Sequence, residues 1–152
     1  MDNAFSQGKL EDIQPALDLA HEKGMLAGIA AHNHHVIEWA EEHLDLDYYL
    51  CCYYNPTNRA AHAEHIADET EYYLESDRQA MTDLIPHLSK PVIHYKVLAA
   101  GRNDPRAAFA FAASKMRPND AVCVGIYQKD NPAILRQDVE LLEESLEKAV
   151  QS

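Results

Sequence analysis

The sequence lacks three features that would assign it to a specialised class of protein. No stretch of its 152 residues approaches the roughly 20 consecutive apolar residues of a membrane-spanning helix. The N-terminal segment 1–6 has no basic and then apolar run, so it does not resemble an export signal. With 13 basic against 25 acidic residues and a net charge of −12, the chain lacks the positive charge that attracts nucleic acid or anionic lipid. We therefore expect a cytoplasmic protein that binds neither nucleic acid nor a membrane.

Cysteine is also scarce. The chain has three, Cys51, Cys52 and Cys123, which is too few for a disulfide framework. Cys51 and Cys52 are adjacent and would face opposite sides of a strand, and Cys123 lies in another apolar run. We therefore expect three buried free thiols in a reducing compartment.

The sequence does contain a regular alternation of short apolar runs with amphipathic segments. The apolar runs, typical of buried strands, are 25–31, 48–53, 92–98 and 121–126. The segments with apolar residues every three to four positions, typical of helices, are 10–23, 33–44, 76–88, 104–116 and 131–150. This order predicts a parallel sheet of about four strands with flanking helices.

A complete (β/α)₈ barrel needs about twice as many strands and about 250 residues. We therefore predict that residues 1–152 form one α/β domain that is half of such a TIM barrel. The other half would come from a second copy, making a homo-oligomer, or from an N-terminal half-barrel outside this chain. A four-stranded open sheet is the alternative.

Local signals predict where the helices begin and end. Gly24 should end the first helix, and Asn33 should cap the second. Ser76 opens a capping box, and Asp104-Pro105 and Asn131-Pro132 each place a capping residue before a proline.

Polar side chains follow each predicted strand, at the edge of a parallel sheet where ligands bind. They lie in the segments 31–35, 53–55, 96–102 and 125–129. Lys96, within the third apolar run, is a candidate catalytic residue, because an amine there can form a Schiff base, contact an anion or donate a proton. The alternative is a lysine whose stem simply reaches water. His32 is the second candidate catalytic residue.

Two groups of histidines raise the question of a metal. His32, His34 and His35 follow the first strand, and His-x-His is one way to hold a divalent cation, but no second motif supplies the other ligands. His62 and His65 are three residues apart in a polar segment, 59–75, where an exposed helix face is the simpler interpretation. We predict no metal site from either group. The length of that segment indicates a functional or mobile connection.

Four motifs resemble the C-terminal half of the aldo/keto reductase family, in the family's order. They are Gly28-Ile29-Ala30-Ala31-His32 for G-V-S-N-H, Tyr54-Asn55-Pro56-Thr57-Asn58-Arg59 for Y-N-P-L-x-R, Tyr95-Lys96-Val97-Leu98-Ala99-Ala100-Gly101-Arg102 for M-K-P-L-A-G-G-R, and Val124-Gly125-Ile126 for V-G-M. The resemblance implies a (β/α)₈ barrel, NADPH as cofactor and a small carbonyl or sugar-like substrate. It would place Tyr95 against the nicotinamide ring and the segment 96–102 beside the phosphates. The cofactor-binding residues it implies are Tyr95, Lys96, Arg102 and Asn33.

The chain also departs from that family. Ala30-Ala31 and Cys51 replace the Ser-Asn pair and the Gln that hold the nicotinamide carboxamide, and the family's catalytic groups lie in its first four units, for which this chain has no counterpart. Three functions therefore stay open. They are part of an aldo/keto reductase-like oxidoreductase, a non-redox lyase or isomerase using Lys96 or a histidine-bound metal, and a non-catalytic half-barrel that self-associates.

Overall fold

The computed structural model describes residues 1–55 and 73–151. The strands are β1 (Gly28–Ala31), β2 (Tyr48–Cys52), β3 (Val92–Tyr95) and β4 (Ala121–Cys123). The α-helices are α1 (Asp2–Ser6), α2 (Ile13–Glu22), α3 (His34–His43), α4 (Glu75–Leu84), α5 (Pro105–Lys115) and α6 (Ile134–Val150). Short 3₁₀ turns follow α4 (Ile85–His87) and β3 (Ala99–Gly101). None of the helices described combines the length and apolar character needed to cross a membrane.

The four strands form one sheet in the order β1-β2-β3-β4, and every neighbouring pair is parallel. The predicted α/β fold with about four parallel strands is therefore confirmed. Each crossover adds the next strand on the same side of the previous one. Because such crossovers are right-handed, their helices all lie on the same face of the sheet. This arrangement is consistent with half a barrel, whereas a doubly wound sheet would reverse direction and place helices on both faces.

The two faces of the sheet differ in burial. The register puts Ile29, Tyr49 and Val92 side by side, and all three are buried with α3, α4 and α5 in a single core. On the opposite face, Ala30 and Cys123 are exposed. The prediction of three buried thiols is thus right for Cys51 and Cys52. It is wrong for Cys123, because no described helix covers that face at the edge strand.

Three of the predicted helix signals are confirmed. Gly24 follows α2 with a φ of +71°, a backbone conformation that glycine adopts without strain. The Asn33 side chain accepts a hydrogen bond from the backbone N–H of His35 and so caps α3. The Asp104 side chain does the same for α5, with Pro105 as the first helical residue.

Two other helix starts differ from their predictions. Helix α4 begins at Glu75 with Leu74 as its capping residue, so Ser76 lies inside the helix and forms no capping box. Helix α6 begins at Ile134, and Asn131 instead accepts a hydrogen bond from the N–H of Ala133 in the turn before it. The predicted capping residue thus lies one residue after the first helical residue in α4 and three residues before it in α6.

A buried carboxylate, Asp120, joins the starts of β3 and β4. One of its oxygens accepts the N–H of Val92 at 2.8 Å, and the other accepts the N–H of Arg117 at 2.8 Å. The guanidinium of Arg117 bonds the same carboxylate and the carbonyls of Leu88 and Lys90. Burial would raise the pKa of Asp120, but the bonds from Arg117 and Val92 outweigh it and hold the pKa below its usual range.

His94 connects this carboxylate to β2. Its side chain is fully buried, with Nε2 3.4 Å from Asp120 and Nδ1 2.9 Å from the hydroxyl of Tyr53. Because the carboxylate only accepts, Nε2 carries the proton and the Tyr53 hydroxyl donates to Nδ1. Burial lowers the pKa of His94, so the ring is neutral. The network thus holds three strands in register from the helix side.

We expect Asp120→Ala to lower the free energy of unfolding by about 3 kcal/mol or more, because it leaves buried donors of Arg117, Val92 and His94 without an acceptor. Urea unfolding at neutral pH measures this. Asp130→Ala, at an exposed position in the loop after β4, is the control and should change stability by less than about 0.5 kcal/mol. Equal effects of the two variants would contradict the role given to Asp120.

Candidate functional site

A cleft of about 510 Å³ opens at the carboxyl ends of β3 and β4. The loops after the two strands and the start of α6 form its walls. Its polar lining consists of Tyr73, Tyr95, Lys96, Asn103, Tyr127 and Asp138. This is the edge of a parallel sheet at which ligands bind, and the volume is that of a small-molecule site.

The loop after β3 has an unusual backbone. Lys96, Ala99 and Ala100 have φ values of 61°, 48° and 53°, in the left-handed region that non-glycine residues rarely adopt. Each such residue costs about 1 kcal/mol or more, and strain of this kind concentrates at functional sites. Asn103 stabilises the loop, because its amide donates to the carbonyl of Val97 at 3.0 Å and to the hydroxyl of Tyr54 at 2.8 Å.

The left-handed conformation also corrects the expected extent of the third strand. The apolar run 92–98 predicts a strand through Leu98, but β3 ends at Tyr95 because the chain turns at Lys96. Lys96 therefore lies in the loop and lines the cleft, with its amine 5.9 Å from the ring centroid of Tyr95.

Asp138 on α6 is the site residue that the sequence did not reveal. It is only 6% exposed, it lines the cleft, and its Oδ2 has no hydrogen-bond partner among the described residues. Burial raises the pKa of this carboxyl group. The apolar residues Leu135 and Val139 of α6 are 50% and 46% exposed, whereas Asp138 between them is buried. The sequence feature that would have indicated it is the helical spacing of Asp138 from two leucines, three residues after Leu135 and four before Leu142.

The cleft brings together two of the candidate site residues, Lys96 and Tyr95. Arg102 lies beside it, with its guanidinium stacked over the ring of Tyr73 at 4.3 Å, and lines a neighbouring depression. His32 and Asn33 follow β1, which β2 separates from β3.

His32 and Asn33 do not line the cleft but contact Asp2 of the N-terminal helix α1. The Asp2 carboxylate accepts the backbone N–H of His32 at 3.0 Å and that of Asn33 at 2.9 Å, and lies 3.1 Å from Nδ1 of His32. Burial would raise the pKa of Asp2, but the bonds from the His32 side chain and both backbone groups lower it to about 2. This contact attaches α1 to the carboxyl end of β1.

The other histidines after β1 make local contacts. The rings of His34 and His35 lie 4.0 Å apart, and His35 is 3.3 Å from Glu38. Across residues 1–55 and 73–151, no three His, Cys, Asp or Glu side chains are grouped so as to hold a metal ion. His62 and His65, with most of the segment 59–75, lie outside the described residues.

The described residues do not fit the nicotinamide end of NADPH. At the positions where the aldo/keto reductases hold the carboxamide, Ala30 and Ala31 have no hydrogen-bonding side chain, and Cys51 is fully buried. Ala31 and Cys51 also share the sheet face that the helices cover, so neither side chain points to the open face.

Fold and site define an α/β protein with a parallel sheet wound in one direction and, at its carboxyl edge, a mostly apolar cleft that contains a few polar side chains. A scan against protein-family models and searches of curated proteins and of solved structures found no match to the chain. The family resemblance of its strand ends therefore stays a prediction.

We expect Asp138→Asn to stabilise the protein at neutral pH by about 1–2 kcal/mol, because it removes a buried charge that lacks a partner. The raised pKa means that the folded state favours the protonated acid. The gain should therefore appear as the pH rises above the unfolded value of 3.8 and vanish below it. Thermal unfolding measures it as an increase in Tm of about 3 °C. Glu143→Gln, exposed on the same helix, is the control, and a lower Tm for Asp138→Asn alone would contradict the interpretation.

We expect Asp2→Asn to destabilise the protein by about 2 kcal/mol at neutral pH, because the carboxylate binds three donors and its pKa falls from 3.8 to about 2. A carboxyl group whose pKa is lower in the folded state stabilises the fold at pH values above its unfolded pKa. This stabilisation is lost as the pH falls through the unfolded and then the folded pKa. Thermal unfolding from neutral pH down to about 2.5 should therefore show the difference between the two proteins shrinking. A pH-independent difference, or one matched by the exposed control Asp12→Asn, would count against the contact.

Proposed function

We propose that this chain is the C-terminal half of an aldo/keto reductase-like (β/α)₈ barrel, and that its β3–β4 cleft binds a small carbonyl or sugar-like molecule. The observation that carries the proposal is the cleft itself, at the carboxyl edge of adjacent parallel strands, with Lys96 and the unpaired Asp138 in its lining. A combination of a concave site, a few polar groups and a shifted pKa is typical of binding and catalytic sites.

The barrel part of the proposal is supported by both edges of the sheet. In the described residues β1 and β4 have only one neighbouring strand each. Exposed apolar side chains also occur on the segments that precede β1 and follow β4 in the chain, at 53% for Leu19 and 76% for Leu26 before β1 and at 50% for Leu135 and 46% for Val139 on α6. Four further strand–helix units, from a second copy or from an N-terminal half, would cover these side chains and pair both edges.

The ligand part of the proposal is supported by the position of the family-like motifs. Tyr95 and Lys96 belong to the third motif and Val124 and Gly125 to the fourth, and all four line the one cleft. The proposal includes no hydride-transfer step, because the described residues offer the nicotinamide carboxamide no partner. Lys96 is the group that would polarise a bound carbonyl or, in the non-redox alternative, attack it as an amine.

The test is an amide-shift titration of the isotope-labelled chain with D-glyceraldehyde, D-xylose and NADPH in separate samples. We expect D-glyceraldehyde and D-xylose to shift amides in the segments 96–103 and 124–127, because these surround the cleft. Amides after β1 at His32 and Asn33 should not move.

Each outcome of the titration decides the proposal. Shifts confined to other surfaces, or no shifts with either small molecule, would overturn it. Borohydride added with D-glyceraldehyde separates the alternatives, since a covalent adduct on Lys96 indicates amine chemistry and supports the lyase interpretation. Tight NADPH binding by this chain would support the oxidoreductase interpretation.

A further inference from the structure

The face of the sheet opposite the helices is uncharged. The register aligns Ala30, Leu50, Ile93 and Ala121 across it, and the two alanines, on the edge strands, are exposed. Neither edge strand, β1 or β4, contains a charged residue or a proline, which are features that protect a sheet edge from pairing. This open face and both edges are therefore suited to packing against further apolar strands.

Helix α6 extends past β4 and has an apolar stripe on its far side. It packs along α5, where Glu144 forms an ion pair with Arg106 at 3.0 Å. The opposite flank of α6 carries four apolar residues at helical spacing, Leu135, Val139, Leu142 and Leu146. Leu135 and Val139 are exposed. A further strand beside β4 would lie under α6 and bury this stripe.

The N-terminal helices occupy the corresponding place beyond β1. The ring of Phe5 in α1 packs edge-on against Trp39 of α3, with centroids 5.9 Å apart. Glu41, on the other flank of α3, accepts the N–H of Ser89 on the side of α4. Since α2 follows α1 and leads into β1, residues 1–22 lie on the flank of α3 that faces away from α4. The helix layer thus extends beyond the sheet at both edges.

A second copy of the chain does not fit these edges. To close a barrel, its β1 would pair with β4, and its residues 1–22 would then need the place that α6 already fills. A (β/α)₈ barrel has one helix for each strand, and a helix with its side chains is about 10–12 Å wide. Both junctions of a symmetric pair would therefore hold one helix too many.

The charges at the edges also oppose a second copy. Helix α6 carries five acidic and two basic side chains, and residues 1–22 carry five acidic and one basic. Each junction of a symmetric pair would bring these two acidic segments together, in a chain whose net charge is already −12.

We propose that the open sheet is an interface for a complementary half-barrel that begins and ends in a strand, with four parallel strands and only three helices, and not for a second copy. Its inner face would be apolar and uncharged, to match the open face. Its first strand would pair with β4 beneath the stripe of α6, and its last strand with β1. This inference rests on the proposed function and identifies the partner that completes the barrel.

The experiment uses sedimentation velocity on the full chain, alone and with each of two designed polypeptides whose folding is first checked by circular dichroism. The first probe has four strands joined by three helices, with valine and isoleucine on its inner face. The second is identical but has a further helix before its first strand. We expect the chain alone to stay monomeric, the first probe to form a 1:1 complex, and the second to bind at least about tenfold more weakly because its extra helix conflicts with α6.

A variant of the full chain tests the place of α6. Leu135→Glu puts a charge into the stripe that the first strand of the probe would bury, so we expect the Kd of the first probe to rise about tenfold or more. Arg136→Glu, at the next and exposed position of the same helix, is the control and should change this Kd much less.

The outcomes separate this inference from the proposed function. A dimer of the chain alone, with the β1 and β4 amides protected from hydrogen exchange, would overturn the inference but keep the barrel. Equal binding of the two probes, or equal effects of Leu135→Glu and Arg136→Glu, would also overturn it. A monomeric chain that binds neither folded probe would overturn the barrel part of the proposed function as well.

Discussion

The fold depends most on the buried carboxylate of Asp120. It accepts from the first residue of β3, from Arg117 ahead of β4 and from His94 within the sheet, so one side chain fixes the relative position of the last two strands. Arg117 extends this to the carbonyls of Leu88 and Lys90 at the end of the preceding connection. Because these hydrogen bonds lie at the starts of β3 and β4 and on the helix side of the sheet, they do not involve the loops at the carboxyl ends of the strands. The strained loop and the cleft lie at those carboxyl ends.

Among the described residues, two buried aspartates have opposite properties. Asp120 has every oxygen engaged, and its pKa is lowered, whereas Asp138 has an oxygen without a partner and a raised pKa. The first aspartate is held in its charged form by its hydrogen bonds, and the second leaves a buried acceptor unsatisfied, which lowers stability. Together with the left-handed Lys96, Ala99 and Ala100, Asp138 makes the carboxyl edge of β3 and β4 the least relaxed part of the described structure.

Much of the fold could be predicted because it is encoded locally. The apolar runs place all four strands, and Asn33 and Asp104 cap their helices as their positions indicate. The site was harder to predict, since it depends on tertiary packing. The left-handed turn at Lys96 lies within an apolar run that predicts a continuous strand, and Cys123 is exposed because its strand is at the edge. Asp138 was missed because the rotation of α6 depends on its packing against α5.

The winding of the sheet in a single direction has a consequence for how such a chain can grow. Each strand–helix unit adds to the same side of the one before it, so a repeat joined to either terminus continues the same helix layer without a reversal. A strand–helix unit added by duplication of the gene segment would therefore extend the sheet with another parallel strand at its edge.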